Sequence, residues 1–277
     1  VFSVTKSIIS ILLGIALDRG CLGSIDQQVL EFFPEYTPKR GEKTIQNITI
    51  RDMLTMTAPY KYRSTPYTKY FTSPDWVRFS LDLLGGKGPV GEFRCAPLIG
   101  PDILTGILTR VTGQSVLDFA KERLFAPLGI PVERSITFRS REELMAFYKS
   151  TDLRVWAADP AGVNAGGWGL TLSPMDMANI GELILHGGVY DGTRIVSEKW
   201  VRESTAEQSL WAERDLPYGY LWWVLPQGHG FAAMGDGGNA LYVSPDKNLV
   251  AAITSRFQPR VKDRIELIRT YVAPCFD

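Results

Sequence analysis

The distribution of apolar residues predicts an internal helix at the start of the chain, a long helical middle and strands near the end. Residues 3–19 are apolar on almost every face of a helix, which is typical of an internal helix. Capping residues and periodicity predict further helices at 26–34, 48–56, 75–84, 102–111, 115–125, 174–186, 197–204 and 264–272. Apolar and aromatic runs predict strands at 218–224, 240–243 and 249–255.

This order of elements predicts an α+β fold: an antiparallel β-sheet flanked by helices, with an inserted helical region. We expect a discontinuous sheet domain from residues 1–22 and 160–277, a mainly helical domain from 23–159, and an active site between them. Three strands are few for so much helix, so we expect further N-terminal strands before the visible chain. The proline- and tyrosine-rich stretch 58–70 predicts an irregular loop wall.

Composition narrows the choice of partner. The chain has 277 residues, of which 45% are hydrophobic, and 30 basic residues balance 30 acidic ones. This balance favours a small molecule in a pocket and argues against nucleic acid or an anionic membrane as a partner. Neither a metal site nor a cofactor is predicted, and the odd cysteine count fits one disulfide or reduced thiols alike. These statements rest on three separated cysteines and two histidines: Cys21, Cys95, Cys275, His186 and His229.

The first apolar run has some features of a signal peptide, because Lys6 precedes it. However, Asp18 and Arg19 lie just before Gly20 and Cys21, where a cleavage site needs small uncharged residues. The run is also too short to cross a bilayer. We therefore expect a buried helix and no membrane span in the visible chain; the compartment stays open, with the cytoplasm slightly favoured over export.

The first helix also carries the candidate chemistry. In the tetrad Ser3-Val4-Thr5-Lys6, a hydroxyl and an amine lie one helical turn apart on the same face. Ser3 would lie at the positive end of the helix dipole, and burial would lower the pKa of Lys6. The amine could then accept the proton of Ser3 and make its oxygen a nucleophile.

Several segments resemble one known family in the expected order. The chain is similar to the serine β-lactamase and penicillin-binding-protein superfamily, in particular to class C β-lactamases, esterases and D,D-peptidases. The resemblance implies a β-lactamase/transpeptidase-like fold and an acyl-enzyme on Ser3, with a small-molecule acyl substrate and no cofactor. It covers nearly the whole chain and rests on residues 2–7, 48–57, 109–113, 125–130, 166–178 and 218–223.

The third motif of this family corresponds to the glycine-rich stretch 235–239. The resemblance implies that Ser3, Asp236, Gly237, Gly238 and Asn239 bind the oxyanion and the substrate, with the backbone N–H groups of Ser3 and Asn239 as the oxyanion donors. Asp236 stands where the family has a basic residue or histidine. It is either a turn aspartate or a pocket residue, and in the pocket it would repel penicillin-like acids.

The second motif of the family, a Tyr-x-Asn that relays a proton, has no direct counterpart. Counted from Phe93, its tyrosine falls on Cys95 and its asparagine on Pro97; counted back from Gly113, the register slips by one. Cys95 is either a possible thiol relay at this position or a plain buried cysteine. A hydroxyl from elsewhere is the other possibility, and the loop offers Tyr60, Tyr62, Tyr67 and Tyr70.

These features predict a serine hydrolase that acts on esters, amides or, weakly, β-lactams. Two alternatives stay open because the usual tyrosine is missing. One is a catalytically impaired binding protein of the same fold, and the other is an acyltransferase that uses the same serine. The pair Trp222-Trp223 is expected in a strand, with one ring towards the core and the other placed to line a cleft.

Overall fold

The computed structural model describes residues 1–96, 98–150, 154–257 and 260–276. Short 3₁₀ and π segments join the regular elements. The helices are α1 (Val4–Asp18), α2 (Ile50–Leu54), α3 (Tyr67–Phe71), α4 (Trp76–Leu83), α5 (Ile99–Thr112), α6 (Val116–Ala120), α7 (Arg141–Lys149), α8 (Pro174–Leu185), α9 (Glu198–Ser204) and α10 (Arg264–Leu267).

The strands are β1 (Arg134–Ile136), β2 (Val155–Ala157), β3 (Val189–Tyr190), β4 (Thr193–Arg194), β5 (Ser209–Trp211), β6 (Leu216–Tyr218), β7 (Trp223–Val224), β8 (Phe231–Gly235), β9 (Asn239–Ser244) and β10 (Leu249–Ile253). Within the described residues, the main sheet has six strands, all paired antiparallel to their neighbours in the order β10-β9-β8-β7-β6-β5. Two small two-stranded sheets are separate from it: β1 with β2, which run parallel, and β3 with β4.

Helix α1 forms the centre of the main apolar core. Every residue from Val4 to Ala16 is buried, as its uniform apolar pattern predicted. Helix α1 packs against β8 and β9 on one side and against α5 and α9 on the others. Gly14 allows a close contact with α9, because a Cβ there would overlap the indole of Trp200. The Trp200 Nε1 donates to the Ser10 carbonyl at 3.0 Å. The middle and second half of α1 are therefore packed tightly against α9.

The prediction of an α+β fold with an antiparallel sheet is confirmed, and several local predictions also agree with the structure. Thr49 caps α2: the Asp52 N–H donates to its Oγ1 at 3.2 Å, and the Asp52 carboxylate accepts from the Thr49 N–H at 2.8 Å. Ser173 caps α8 in the same way, with Pro174 in the first turn.

Two predictions for the first third of the chain are wrong in part. The expected helix at 26–34 is only a 3₁₀ turn, Val29–Phe32, because the neighbouring backbone pairs with another segment. Val29 donates to the Ile48 carbonyl at 2.9 Å, and Ile50 donates to that of Gln27 at 3.1 Å. The expected loop at 58–70 leads into helix α3, and Tyr70 is fully buried.

The sheet has six strands instead of the expected three, and the expected strand at 218–224 is divided. Tyr218 and Trp223 face each other in β6 and β7, and the chain turns between them. Leu221 has a φ of +61° there, and its N–H donates to the Leu54 carbonyl at 3.0 Å. Trp222 is buried in the turn, whereas Trp223 lies half-buried in β7.

The sequence did not predict β5 and β8 of the main sheet, which have three and five residues, nor the two- and three-residue strands β1 to β4 of the small sheets. Strands of two or three residues show little periodicity of their own, so they become recognisable only through their pairing partners. β8 is as long as β10, and its length does not explain why the sequence did not predict it. Among the described residues, no helix combines the length and apolar character that crossing a bilayer requires.

Candidate active site

Ser3 and Lys6 meet at the start of α1. Ser3 is the N-cap residue, and the Lys6 Nζ donates a hydrogen bond of 2.6 Å to the Ser3 Oγ. Phe2, directly before them, has a φ of +48°, a left-handed conformation that costs a non-glycine residue about 1 kcal/mol or more. Backbone strain of this kind occurs often at active sites, where surrounding packing holds it in place. The rings of Tyr148 and Phe257 lie 5.5 and 5.6 Å from that of Phe2.

The Lys6 amine is almost completely enclosed, since the residue is only 6% exposed. Burial lowers its pKa from 10.5 to about 8, and the acidic groups of Cys95, Asp236 and Asp102 oppose this shift. A lysine with such a pKa is partly neutral near neutral pH, and the neutral amine can accept a proton. The Ser3 Oγ is the nearest group from which it could take one.

Ser3 and Lys6 open into a cavity of about 290 Å³. Cys95 and Asp236 line the same cavity, so four of the seven predicted site residues lie together. An aromatic wall forms one side of it and consists of Phe93, Trp211, Tyr218 and Trp223. Arg214 also borders the cavity and stacks over Trp211, with its guanidinium carbon 4.5 Å from the ring centroid.

The other three predicted residues lie outside this cavity, because the chain turns away from Ser3 after Asp236. Gly235 and Asn239 are paired across the β8–β9 hairpin. A Cβ on Gly237 would lie 2.9 Å from the Phe257 Cα, and one on Gly238 would lie 3.0 Å from the Arg264 Nε. Gly237 and Gly238 therefore face Phe257 and Arg264 instead of the nucleophile.

Asn239 holds this turn in place. Its Nδ2 donates to the Asp236 carbonyl at 2.8 Å, and its Oδ1 accepts from the Ser255 N–H at 3.1 Å. The residue that approaches the nucleophile is Gly235, where a Cβ would lie 3.1 Å from the Ser3 nitrogen. The glycine-rich stretch thus reaches the site two to four residues earlier than the sequence predicted.

Cys95 lies on the cavity wall, exposed, in the segment that leads into α5. Desolvation within the cleft raises the pKa of its thiol, and Lys6 and Arg214 counteract this effect. The thiol is therefore protonated at neutral pH. Pro97, at the asparagine position of the motif, is outside the described residues. Since Cys95 is exposed, the alternative of a plain buried cysteine is wrong, whereas the thiol relay stays a prediction.

The hydroxyl that sequence reasoning missed belongs to Tyr218. It lines the cavity, whereas the cavity lining includes none of the four loop tyrosines considered above. Tyr70, for example, points into a separate aromatic cluster, where it accepts a 3.1 Å hydrogen bond from the Trp168 Nε1. Tyr218 lies in a segment that resembled the family, but nothing in its spacing connected it with Ser3.

Residues 1–273 match the profile of the beta-lactamase family. The chain belongs to this family. It is 24% identical to the 6-aminohexanoate-dimer hydrolase of Paenarthrobacter ureafaciens over 265 residues, which cover 88% of this chain and 62% of that relative. The chain therefore spans less than two thirds of the length of this curated relative.

Solved structures of this family share the fold. The penicillin-binding protein of Bacillus halodurans superposes with a TM-score of 0.70 at 14% identity, covering 97% of this chain and 85% of that one. A family VIII carboxylesterase gives 0.64 at 20% identity, with coverages of 97% and 81%. Simvastatin synthase from Aspergillus terreus gives 0.68 at 16%, with coverages of 100% and 83%. The predicted family and fold are confirmed: this is a member of a hydrolase family of the beta-lactamase fold.

The buried amine gives a first prediction. Between pH 8 and 10.5 the folded protein binds fewer protons at Lys6 than the unfolded chain does, because the folded-state pKa is the lower one. Below that range, burial of the ammonium costs about 3 kcal/mol. We expect Lys6→Met to raise the free energy of unfolding at pH 7 by up to about 3 kcal/mol, less the lost Ser3 hydrogen bond. The gain should decrease as the pH approaches 10.5.

Urea unfolding at pH 7 and pH 10 measures this difference. Lys69→Met is the matched control, because Lys69 is exposed and its ammonium stays in water. A Lys6→Met variant that is less stable than the wild type at pH 7, or equally altered at both pH values, would contradict the assignment of a desolvated amine.

Proposed function

We propose that this protein is a serine hydrolase that forms an acyl-enzyme on Ser3 with Lys6 as the base. The observation that carries this proposal is the 2.6 Å hydrogen bond between the Lys6 Nζ and the Ser3 Oγ. The amine is buried, and its pKa of about 8 leaves a neutral fraction near neutral pH. A nucleophile and a base in direct contact at the start of a buried helix are what acyl transfer requires.

In this mechanism the Ser3 oxygen attacks the acyl carbon while its proton passes to the Lys6 nitrogen. Negative charge then develops on the acyl oxygen. We assign its stabilisation to the backbone N–H groups of Ser3 and Asp236, in place of Ser3 and Asn239. Within the described ranges, these two N–H groups donate to no protein acceptor. The bond from the acyl carbon to the leaving group then breaks, and the leaving group departs with one proton, so that Lys6 is neutral again. Water later attacks the acyl-enzyme and gives a proton to Lys6, which passes it to the Ser3 oxygen as that oxygen leaves.

The cavity supports a small acyl substrate with an apolar group. Its aromatic wall can hold an alkyl or aryl chain, and its volume of about 290 Å³ limits the size of that chain. The cavity walls combine Phe93 and Cys95, from the proposed helical domain 23–159, with Ser3 and Asp236, from the proposed sheet domain. This supports an active site between the two. Linear amides and carboxylic esters suit the site, as the descriptions of the relatives suggest.

Asp236 makes penicillin-like acids poor substrates. Its carboxylate lines the cavity beside Ser3, where it would repel the carboxylate that such molecules carry. Arg214 counters this only from the exposed rim of the cavity. We therefore propose that neutral esters and amides react faster than β-lactam acids.

A fluorophosphonate probe tests the nucleophile. We expect the wild-type protein to gain the mass of one phosphonyl group and Ser3→Ala to gain none, as measured by intact-protein mass spectrometry. Ser10→Ala is the matched control, because Ser10 lies in the same helix but is fully buried. Mass addition that persists in Ser3→Ala would overturn the proposal. A wild type that gains no mass would favour the binding-protein alternative. With p-nitrophenyl butyrate as substrate, transfer of the butyryl group to an added alcohol instead of water would favour the acyltransferase.

The pH dependence of this labelling reports the base. Lys6 must be neutral to accept the Ser3 proton, so the labelling rate should rise with pH and level off above a midpoint near 8. Below the midpoint the rate should fall about tenfold per pH unit, as for a single protonation. Stopped-time labelling from pH 6 to 10 measures it. A rate that does not change over this range would exclude Lys6 as the base.

The role of Asp236 gives a separate prediction. We expect Asp236→Asn to increase kcat/KM for nitrocefin, a cephalosporin with a carboxylate, by about fivefold relative to p-nitrophenyl butyrate. The neutral ester serves as the internal control, because the charge of Asp236 should affect it little. Equal changes for both substrates would show that the residue acts through the shape of the hairpin and not through its charge.

A further inference from the structure

The mechanism proposed above for Ser3 and Lys6 does not yet assign a group that gives a proton to the departing part of the substrate. After Ser3 attacks, the leaving oxygen or nitrogen must be protonated, and Lys6 already lies against Ser3 at 2.6 Å. Cys95, at the usual tyrosine position, has a short side chain on the cavity wall. A longer acid that projects from another part of the wall would meet this need.

The ring of Tyr218 is fixed within the cavity wall. It lies at the end of β6, where it pairs with Ser209 of β5 and Trp223 of β7. Trp223 meets it edge-to-face at 4.6 Å between centroids and 73° between planes, and Phe93 does so at 5.4 Å and 70°. Tyr218 is only 3% exposed, so this environment allows the ring little freedom.

The hydroxyl of Tyr218 has no protein partner among the described residues. Some polar atoms, such as the Tyr62 Oη, are both buried from solvent and without a partner. The Tyr218 hydroxyl does not belong to this group. Since the rest of the residue is buried and lines the cavity, the hydroxyl opens into that cavity. A buried phenol without a partner loses a hydrogen bond, which a bound substrate would restore.

We propose that Tyr218 is the catalytic acid that protonates the leaving group, in place of the tyrosine that Cys95 replaces. This inference rests on the proposed acyl-enzyme at Ser3. The Ser3 Oγ forms its bond to the acyl carbon, and its proton goes to the Lys6 Nζ. The bond from the acyl carbon to the leaving atom then breaks, and that atom takes the proton of the Tyr218 hydroxyl. Lys6 returns its proton to the Tyr218 oxygen through cavity water, which restores both groups.

Tyr218→Phe tests this role because different leaving groups need the proton to different degrees. p-Nitrophenolate departs as a stable anion, whereas an alkoxide or amide nitrogen must be protonated as it leaves. We expect Tyr218→Phe to reduce kcat/KM for ethyl butyrate about 10²-fold or more, but to reduce that for p-nitrophenyl butyrate less than about fivefold. A change in packing alone would lower both rates by the same factor.

Tyr60→Phe is the matched control. Tyr60 is another tyrosine near Cys95 and is partly buried, but its hydroxyl lies against Gly100 and outside the cavity lining. Its removal should affect the two esters equally. The burst of p-nitrophenol shows that Tyr218→Phe still folds and acylates. If that burst is normal and the two esters lose rate equally, or not at all, the role of Tyr218 is excluded while the function of Ser3 stands. If Ser3 forms no acyl-enzyme in the wild type, both proposals are wrong.

Discussion

The candidate site depends on one contact, the hydrogen bond that the buried Lys6 amine donates to Ser3. An ammonium group at this position is costly, since burial lowers its pKa from 10.5 to about 8. The packing of α1 makes this burial unavoidable, because the helix is enclosed by β8, β9, α5 and α9. The apolar packing that stabilises the domain is therefore also what adjusts the acidity of the base.

The sequence was sufficient to predict this contact because it is local. Ser3 and Lys6 lie one turn apart, and an α-helix brings residues with that spacing together whatever surrounds it. The apolar pattern of residues 3–19 further indicated that the amine would be buried. The antiparallel sheet and its strands at 240–243 and 249–255 were also predictable, since each is a continuous apolar run of adequate length.

The opposite wall of the cavity could not be predicted in the same way because it depends on contacts between distant segments. Asn239 was expected at the site. However, it pairs with Gly235, so residues 236–238 form the turn, and the chain leads away from Ser3 before it reaches Asn239. Tyr218 reaches the cavity only because β5, β6 and β7 pair with one another. Strands of two or three residues leave almost no periodic signal. A glycine-rich motif gives the approximate location of a close approach, and the hairpin register decides which residue makes it.

The Ser7 side chain lies one residue beyond the base and connects the nucleophile helix α1 with the opposite wall of the cavity. Its hydroxyl donates to the Leu221 carbonyl at 2.7 Å, and the Leu221 N–H donates to the Leu54 carbonyl at 3.0 Å. Leu221, in the turn after Tyr218, thus joins the helix of the nucleophile to the end of α2. A displacement of any of them would strain the other two, so the inner part of the cleft should accommodate a new substrate poorly. The exposed hairpin tip around Arg214 can change in length or sequence without disturbing this junction. Variants that accept larger acyl groups should therefore differ at this tip.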